Sequence, residues 1–306
     1  MLRKISLFFL LCTGAAGAAA QERIELWPEG PMPNSRGIAV TDSIANHRVY
    51  RVGRPAMYRV APTAPNRGIA VVICPGGGYQ RYAWEVAGFD IADWLAAQGI
   101  TGFVLTARLP LSPDAVDPSV IGTQDLQRAL RIIRARHAEW GIDPAKIGVE
   151  GSSAGGHLAA SAAVADGPLY EALDAVDNES CAVDFMVLVS PVITLEEPFA
   201  HRGSRETLLG TDAPAEHIAR HSLHYRVTAA TPPTLLVHAN DDRTVPAENS
   251  LLFCSAMRQA GAPVTLHLFQ RGGHSISLEE QPYETQLWSR IVERWIDGLF
   301  EEAPEE

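Results

Sequence analysis

The stretch Ile147-Gly148-Val149-Glu150-Gly151-Ser152-Ser153-Ala154-Gly155-Gly156-His157 decides the fold. It begins as a buried strand run and continues as a helix rich in small residues. The pattern G-x-S-x-G, from Gly151 to Gly155, forms the junction. Such a turn is sharp and strained, and side chains at its two glycines would clash with neighbouring elements. The turn lifts the Ser153 hydroxyl above a sheet, at a helix N-terminus. Ser152 occupies the variable position before it and is set aside as the reactive hydroxyl.

On both sides of this junction strands alternate with helices. Strand patterns fall at residues 68–74, 100–107, 146–150, 185–189, 234–238 and 264–269. Helical spacing marks 85–98, 123–140, 153–164, 247–259 and 283–299. Residues 21–66 read as irregular and edge-strand material, with Pro and Gly interrupting 50–60. The alternation implies βαβ units, hence an α/β fold whose mostly parallel sheet is covered on both faces. In such sheets ligands bind beyond the carboxyl ends of the strands, so reactive residues should follow strands directly. Residues 192–231 break the rhythm and are expected to form a small cap of short helices and loops.

A serine hydroxyl is weakly nucleophilic and needs a base. Of ten histidines, His274 is the one that follows the last strand, in the loop Gly272-Gly273-His274. The stretch Asn240-Asp241-Asp242-Arg243 follows the strand 234–238 and supplies two carboxylates to orient that base. The run Pro75-Gly76-Gly77-Gly78-Tyr79 ends an early strand and lets backbone N–H groups approach an oxyanion unobstructed. Gly77, Gly78 and Ala154, the residue after the serine, are the expected donors. No Gly-Lys-Ser/Thr follows the glycines, and the dinucleotide spacing is absent, so neither a P-loop nor a dinucleotide site is expected. His157, one helical turn beyond Ser153, reads as a buried packing residue. His217 and His221 are a turn apart, but no Glu lies between them in the metalloprotease pattern, and neither metal nor cofactor is expected.

Taken together, Pro75 to Tyr79, the helix from Glu85 to Leu95, Arg108-Leu109-Pro110, Asp125 to Ala129 and Gly151 to His157 resemble bacterial esterases related to acetyl xylan esterases, of the α/β-hydrolase fold. The opening Leu26-Trp27-Pro28-Glu29-Gly30 and Pro232-Pro233 look like that group too. The resemblance implies a chain order Ser, Asp, His, and Asp-x-x-Val-Pro places the acid on Asp242 rather than its neighbour Asp241. It further implies acyl transfer through Ser153, His274 and Asp242, on acetyl groups of plant cell-wall sugars such as xylan or xylo-oligosaccharides. Tyr79, Tyr82 and Trp84 then either stack on a sugar ring or pack the loop. A generic short-chain carboxylesterase or a serine peptidase of the same fold is the competing expectation, and a non-catalytic binding protein a third.

Composition agrees with an exported globular protein. With 46% hydrophobic and 20% charged residues, a 306-residue chain can bury a sizeable core. Met1-Leu2-Arg3-Lys4, an apolar run to Cys12 and Ala18-Ala19-Ala20 have the layout of a signal peptide over residues 1–20. Cleavage there leaves no membrane anchor, and a periplasmic or secreted location is expected for the domain 21–306. A net charge of −11 argues against nucleic acid and anionic membranes as partners. A small-molecule or oligosaccharide ester is the expected substrate. Cys74, Cys181 and Cys254 are too few and too irregular for a disulfide framework.

Overall fold

In the computed structural model, residues 21–27, 31–279 and 281–300 are described; the expected signal segment 1–20 lies outside them. Ten strands form, β1 (Glu22–Glu25), β2 (Ser43–Ala45), β3 (Arg48–Arg51), β4 (Ala56–Val60), β5 (Ala70–Cys74), β6 (Thr101–Thr106), β7 (Ile147–Ser152), β8 (Met186–Val189), β9 (Thr234–Ala239) and β10 (Val264–Phe269). The helices are α1 (Asp90–Ala97), α2 (Ile121–Ala135), α3 (His137–Trp140), α4 (Ala154–Ala163), α5 (Arg202–Leu209), α6 (Ala215–Arg220), α7 (Glu248–Ala260) and α8 (Trp288–Phe300).

Among the described residues, eight strands make one sheet in the order β1-β4-β6-β5-β7-β8-β9-β10, and β2 pairs with β3 in a second. Strands β5 through β10 run parallel, while β4 lies antiparallel between β1 and β6. The sequence pattern suggested an edge strand within 50–60. Instead Pro55 lies just before β4, costs it no ladder donor, and lets it pair on both sides, so that β1 takes the outer position.

Side chains of the central strands alternate between two apolar layers. Ile147 and Val149 face the layer built with Leu126, Leu130, Leu158 and Phe253 of α2, α4 and α7. Ile73, Val187 and Val237 face the layer built with Ile91, Leu95, Trp288 and Ile296 of α1 and α8. The connection from β5 goes outward to β6 and then returns to β7 on the other side of β5. Neighbouring loops that leave in opposite directions open a crevice at the carboxyl ends of β5 and β7, the position where doubly wound sheets bind ligands.

Two expected helices prove segmented. The run at 85–98 opens as a π-turn over Glu85–Phe89 before α1, and 123–140 divides into α2 and α3 at Arg136, whose φ and ψ of −105° and 13° leave the helical basin. Residues 192–231 carry α5, α6 and a 3₁₀ turn at Leu223–Arg226. No disulfide joins the described cysteines, and Cys74 is buried. No helix among the described residues is long and apolar enough to cross a membrane.

The amino-terminal segment is tied to the body by a buried polar cluster. Asp125 of α2 accepts hydrogen bonds from Trp27 Nε1 at 2.7 Å, Arg108 N at 2.7 Å and Arg108 Nη2 at 2.7 Å. Arg108 and Asp125 are 1% and 0% exposed as side chains, so charge is here compensated inside the core. One turn further, Arg128 donates to the Leu26 carbonyl and pairs with Asp174 and Asp177.

Candidate active site

The crevice is occupied by a cavity of about 520 Å³. On one wall stands the turn between β7 and α4. Ser153 sits there at φ 54° and ψ −124°, a backbone conformation that costs a non-glycine residue roughly 1–3 kcal/mol. The turn is sharp because α4 packs directly on β5: a β-carbon on Gly155 would collide with the Cys74 carbonyl oxygen. Sequence reasoning identified this junction from its glycines, and the structure gives the close approach that demands them.

His274 follows β10 in its glycine loop and meets Ser153 across the carboxyl ends of β8 and β9. Its Nε2 lies 3.0 Å from Ser153 Oγ, and its Nδ1 lies 2.7 Å from Asp242 Oδ2. The second contact is an Nδ1–H donated to the carboxylate, which leaves Nε2 as the lone-pair acceptor for the serine proton. Asp242 Oδ1 accepts the amides of Thr244 and Val245. Burial alone would raise the Asp242 pKa. Hydrogen bonds from His238 and His274, with that of the Val245 amide, outweigh burial and hold it well below the ordinary carboxylate range. A depressed carboxylate stabilises the fold fully above its unfolded pKa near ~4, and that contribution is lost as the pH falls towards the folded value.

The structure separates the two neighbouring aspartates by role. Asp241 Oδ1 accepts the amides of Gly272 and Gly273 at 2.9 and 2.8 Å, holding the loop that carries His274 rather than the imidazole itself. His238, at the end of β9, went unnoticed in the sequence because it reads as one more strand residue. It is fully buried, with Nε2 3.0 Å from the Val245 carbonyl and 3.3 Å from Asp242 Oδ2, and so supports the carboxylate from behind.

Opposite the serine lie Gly76, Gly77 and Gly78 after β5. Gly77 adopts φ 146°, and a side chain there would strike the Arg81 carbonyl. Ala154 is the first residue of α4, so its N–H has no acceptor within the helix. Gly77 and Gly78 line the cavity with Ser153, and Ala154 follows the serine directly in the chain.

Three expected substrate contacts lie elsewhere. Tyr79, Tyr82 and Trp84 do not line this cavity. Tyr79, at φ 62°, turns its ring inward, and its hydroxyl donates to His157 Nδ1 at 2.7 Å. The His157 Nε2–H in turn donates to the His221 carbonyl at 2.9 Å, which fixes the tautomer. Burial lowers the pKa of His157 to about 4, so the ring stays neutral and structural. Tyr82 is buried and pairs through its backbone with Val49 of β3, and Trp84 packs edge-on against Tyr58 and Phe89. All three are engaged in packing and pairing away from the cavity, just after the glycine loop. The cavity wall consists instead of Gln80, Arg81, Val86, Ala87, Ile91, Ile276 and Trp288, with His201 and Gly203 at the start of α5. His201 Nδ1 lies 2.7 Å from Ser204 Oγ, and burial, then the nearby His274, lowers its pKa. No group of three or more His, Cys, Asp or Glu among the described residues could hold a metal ion.

A parallel sheet with a strained serine at its topological switch, answered by an imidazole and a carboxylate from the next strands, defines an α/β-hydrolase of the serine-hydrolase type. The BD-FAE family pattern matches residues 62–257, and the chain belongs to that family. It is 34% identical over 226 residues to the acetylxylan esterase of Xylanibacter ruminicola, covering 72% of this chain and 44% of that protein. It is 30% identical over 222 residues to endo-1,4-beta-xylanase B of Butyrivibrio fibrisolvens, covering 70% of this chain and 33% of that one. The chain therefore spans less than half the length of these curated relatives. Among solved structures, the acetyl ester-xyloside bifunctional hydrolase of Caldicellulosiruptor lactoaceticus superposes with a TM-score of 0.75 at 33% identity, over 91% of this chain and 96% of that one.

Proposed function

We propose that the chain is an exported serine esterase that removes acetyl groups from cell-wall carbohydrate such as xylan or xylo-oligosaccharides. The observation that carries the chemistry is the hydrogen-bonded line from Ser153 Oγ through His274 to Asp242, opening on the cavity. His274 takes the serine proton as Oγ attacks the ester carbonyl, and the amides of Gly77, Gly78 and Ala154 hold the oxyanion. The imidazolium then protonates the departing alcohol. Water, activated by the same base, releases acetate and restores the serine. Residues 192–231, through His201 and Gly203, act as a cap over the oxyanion loop. The likeness to an acetylxylan esterase supports the acetyl-carbohydrate substrate.

A panel of acetylated xylo-oligosaccharides, set beside p-nitrophenyl esters of increasing acyl length with acid release measured, tests the assignment. Acetyl esters should give the highest kcat/KM; a preference for long acyl chains overturns the acetylesterase reading. The apolar wall of Val86, Ala87, Ile91, Ile276 and Trp288 favours a short-chain carboxylesterase as the second reading, and the same panel separates the two.

The two aspartates give a sharper test of mechanism. Asp242→Asn should lower kcat by roughly 10⁴-fold, because the amide favours the wrong imidazole tautomer. Asp241→Asn keeps an oxygen able to accept the Gly272 and Gly273 amides and should cost less than about tenfold. Equal losses in the two variants would remove the distinction drawn between them.

A further inference from the structure

Glu150 lies in β7, directly before Gly151 of the nucleophile turn, and the serine chemistry makes no use of it. By the alternation along β7 it faces the layer opposite Val149, with Ile73 and Val187 as its partners across the adjacent strands. Ile91 of α1 and Trp288 of α8 lie beside it too, and these four neighbours are apolar. The residue is 5% exposed, and its Oε2 is buried with no hydrogen-bond partner. Burying a carboxyl without a partner costs free energy. The cavity that reaches Ser153 also reaches Glu150, passing between Val86, Ala87, Ile276 and Trp288.

We propose that Glu150 is a specificity residue, donating a hydrogen bond from the cavity floor to an ether, carbonyl or hydroxyl oxygen on the part of the substrate beyond the ester group. The inference rests on the esterase reading above and adds what the deep end of the same cavity selects. Burial, with no charged neighbour to oppose it, pushes the carboxyl pKa up to about 8, so at neutral pH the group is a donor. Arg81, His201 and His274 share the cavity, and none of them pairs with it. Cys74, the nearby buried thiol, is pushed up in pKa by burial and by Glu150. A plain hydrocarbon chain in the cavity leaves the donor unpaired, whereas an oxygen-bearing chain of the same shape satisfies it. The discrimination therefore arises from what the wrong substrate leaves unmade. In a carbohydrate ester that oxygen belongs to the alcohol half; in an oxygenated acyl ester it belongs to the acyl half.

Two pairs of isosteric esters separate these sources. p-Nitrophenyl 3-methoxypropanoate against p-nitrophenyl pentanoate probes the acyl half, and 2-ethoxyethyl acetate against pentyl acetate probes the alcohol half. In each pair the ratio of kcat/KM, oxygen-bearing over hydrocarbon, is compared between the wild-type protein and Glu150→Leu at pH 7. In one pair the ratio should fall by about tenfold in the leucine variant, the order expected for one neutral hydrogen bond. Glu150→Gln, which keeps an N–H donor, should retain most of the preference. In the wild-type protein the preference should fade above pH 8, while the glutamine variant keeps it. Circular dichroism checks that each variant is folded. Ratios unchanged by Glu150→Leu in both pairs overturn the proposal while leaving the esterase intact. Failure of the wild-type protein to cleave any of the four esters removes the esterase reading and this inference with it.

Discussion

Ser153→Ala is expected to lower turnover of a short-chain ester by at least ~10³-fold, with the fold unchanged. Alanine meets the same backbone requirement at φ 54° that serine does, so the variant removes one oxygen and little else. What survives is the water reaction assisted by the oxyanion amides and by binding, which in triad hydrolases is a small residue of the full rate. Initial rates with p-nitrophenyl acetate, and the loss of covalent labelling by a fluorophosphonate, measure it. Near-normal turnover in the variant would end the assignment of this serine, whatever the geometry around it.

The second large effect concerns stability. Asp125→Ala strands the Arg108 guanidinium, 1% exposed, without its counter-charge, and removes acceptors from Trp27 Nε1 and the Arg108 amide. Breaking a buried pair from one side costs about 3–5 kcal/mol, since the remaining charge stays desolvated. For a chain of this size that amounts to a drop in Tm of roughly 10 °C. The double variant Arg108→Met with Asp125→Leu should recover much of the loss, because it leaves no charge behind. Thermal unfolding followed by circular dichroism decides between them. A single variant as stable as the wild type would show that water reaches the guanidinium.

The meeting of Ser153, His274 and Asp242 at one candidate site was readable in the sequence because each of the three is announced locally. Ser153 sits between the glycines of a strand-to-helix turn, His274 follows two glycines after the last strand, and Asp242 follows β9. Each signal lies within a few residues, and the α/β rhythm brings the strand ends together. Asp-x-x-Val-Pro points to Asp242 over Asp241 by resemblance, without a physical reason; in the structure two amides meet the Asp241 carboxylate and an imidazole meets that of Asp242. Other features depend on partners far along the chain. Arg128, Arg131 and Arg134 of α2 look like a solvated face, yet all are buried, because Asp174, Asp177 and Asp184 lie across from them some 46 to 50 residues later. The inward turn of Tyr79 follows from its left-handed backbone, which no residue type at that position foretells. Glu150 and His201 gain their places on the cavity from the packing of α1, α8 and α5, and their own neighbours in sequence carry no sign of it.

The nucleophile and the base are not anchored with equal firmness. Ser153 and the glycine loop hang from β7 and β5, whose side chains are almost wholly enclosed, whereas His274 hangs from β10, an edge strand with half-open side chains along its length. Margins of a sheet loosen before interiors do. Under thermal stress the molecule therefore forfeits proton transfer first, while still presenting an intact but unassisted hydroxyl to its surroundings.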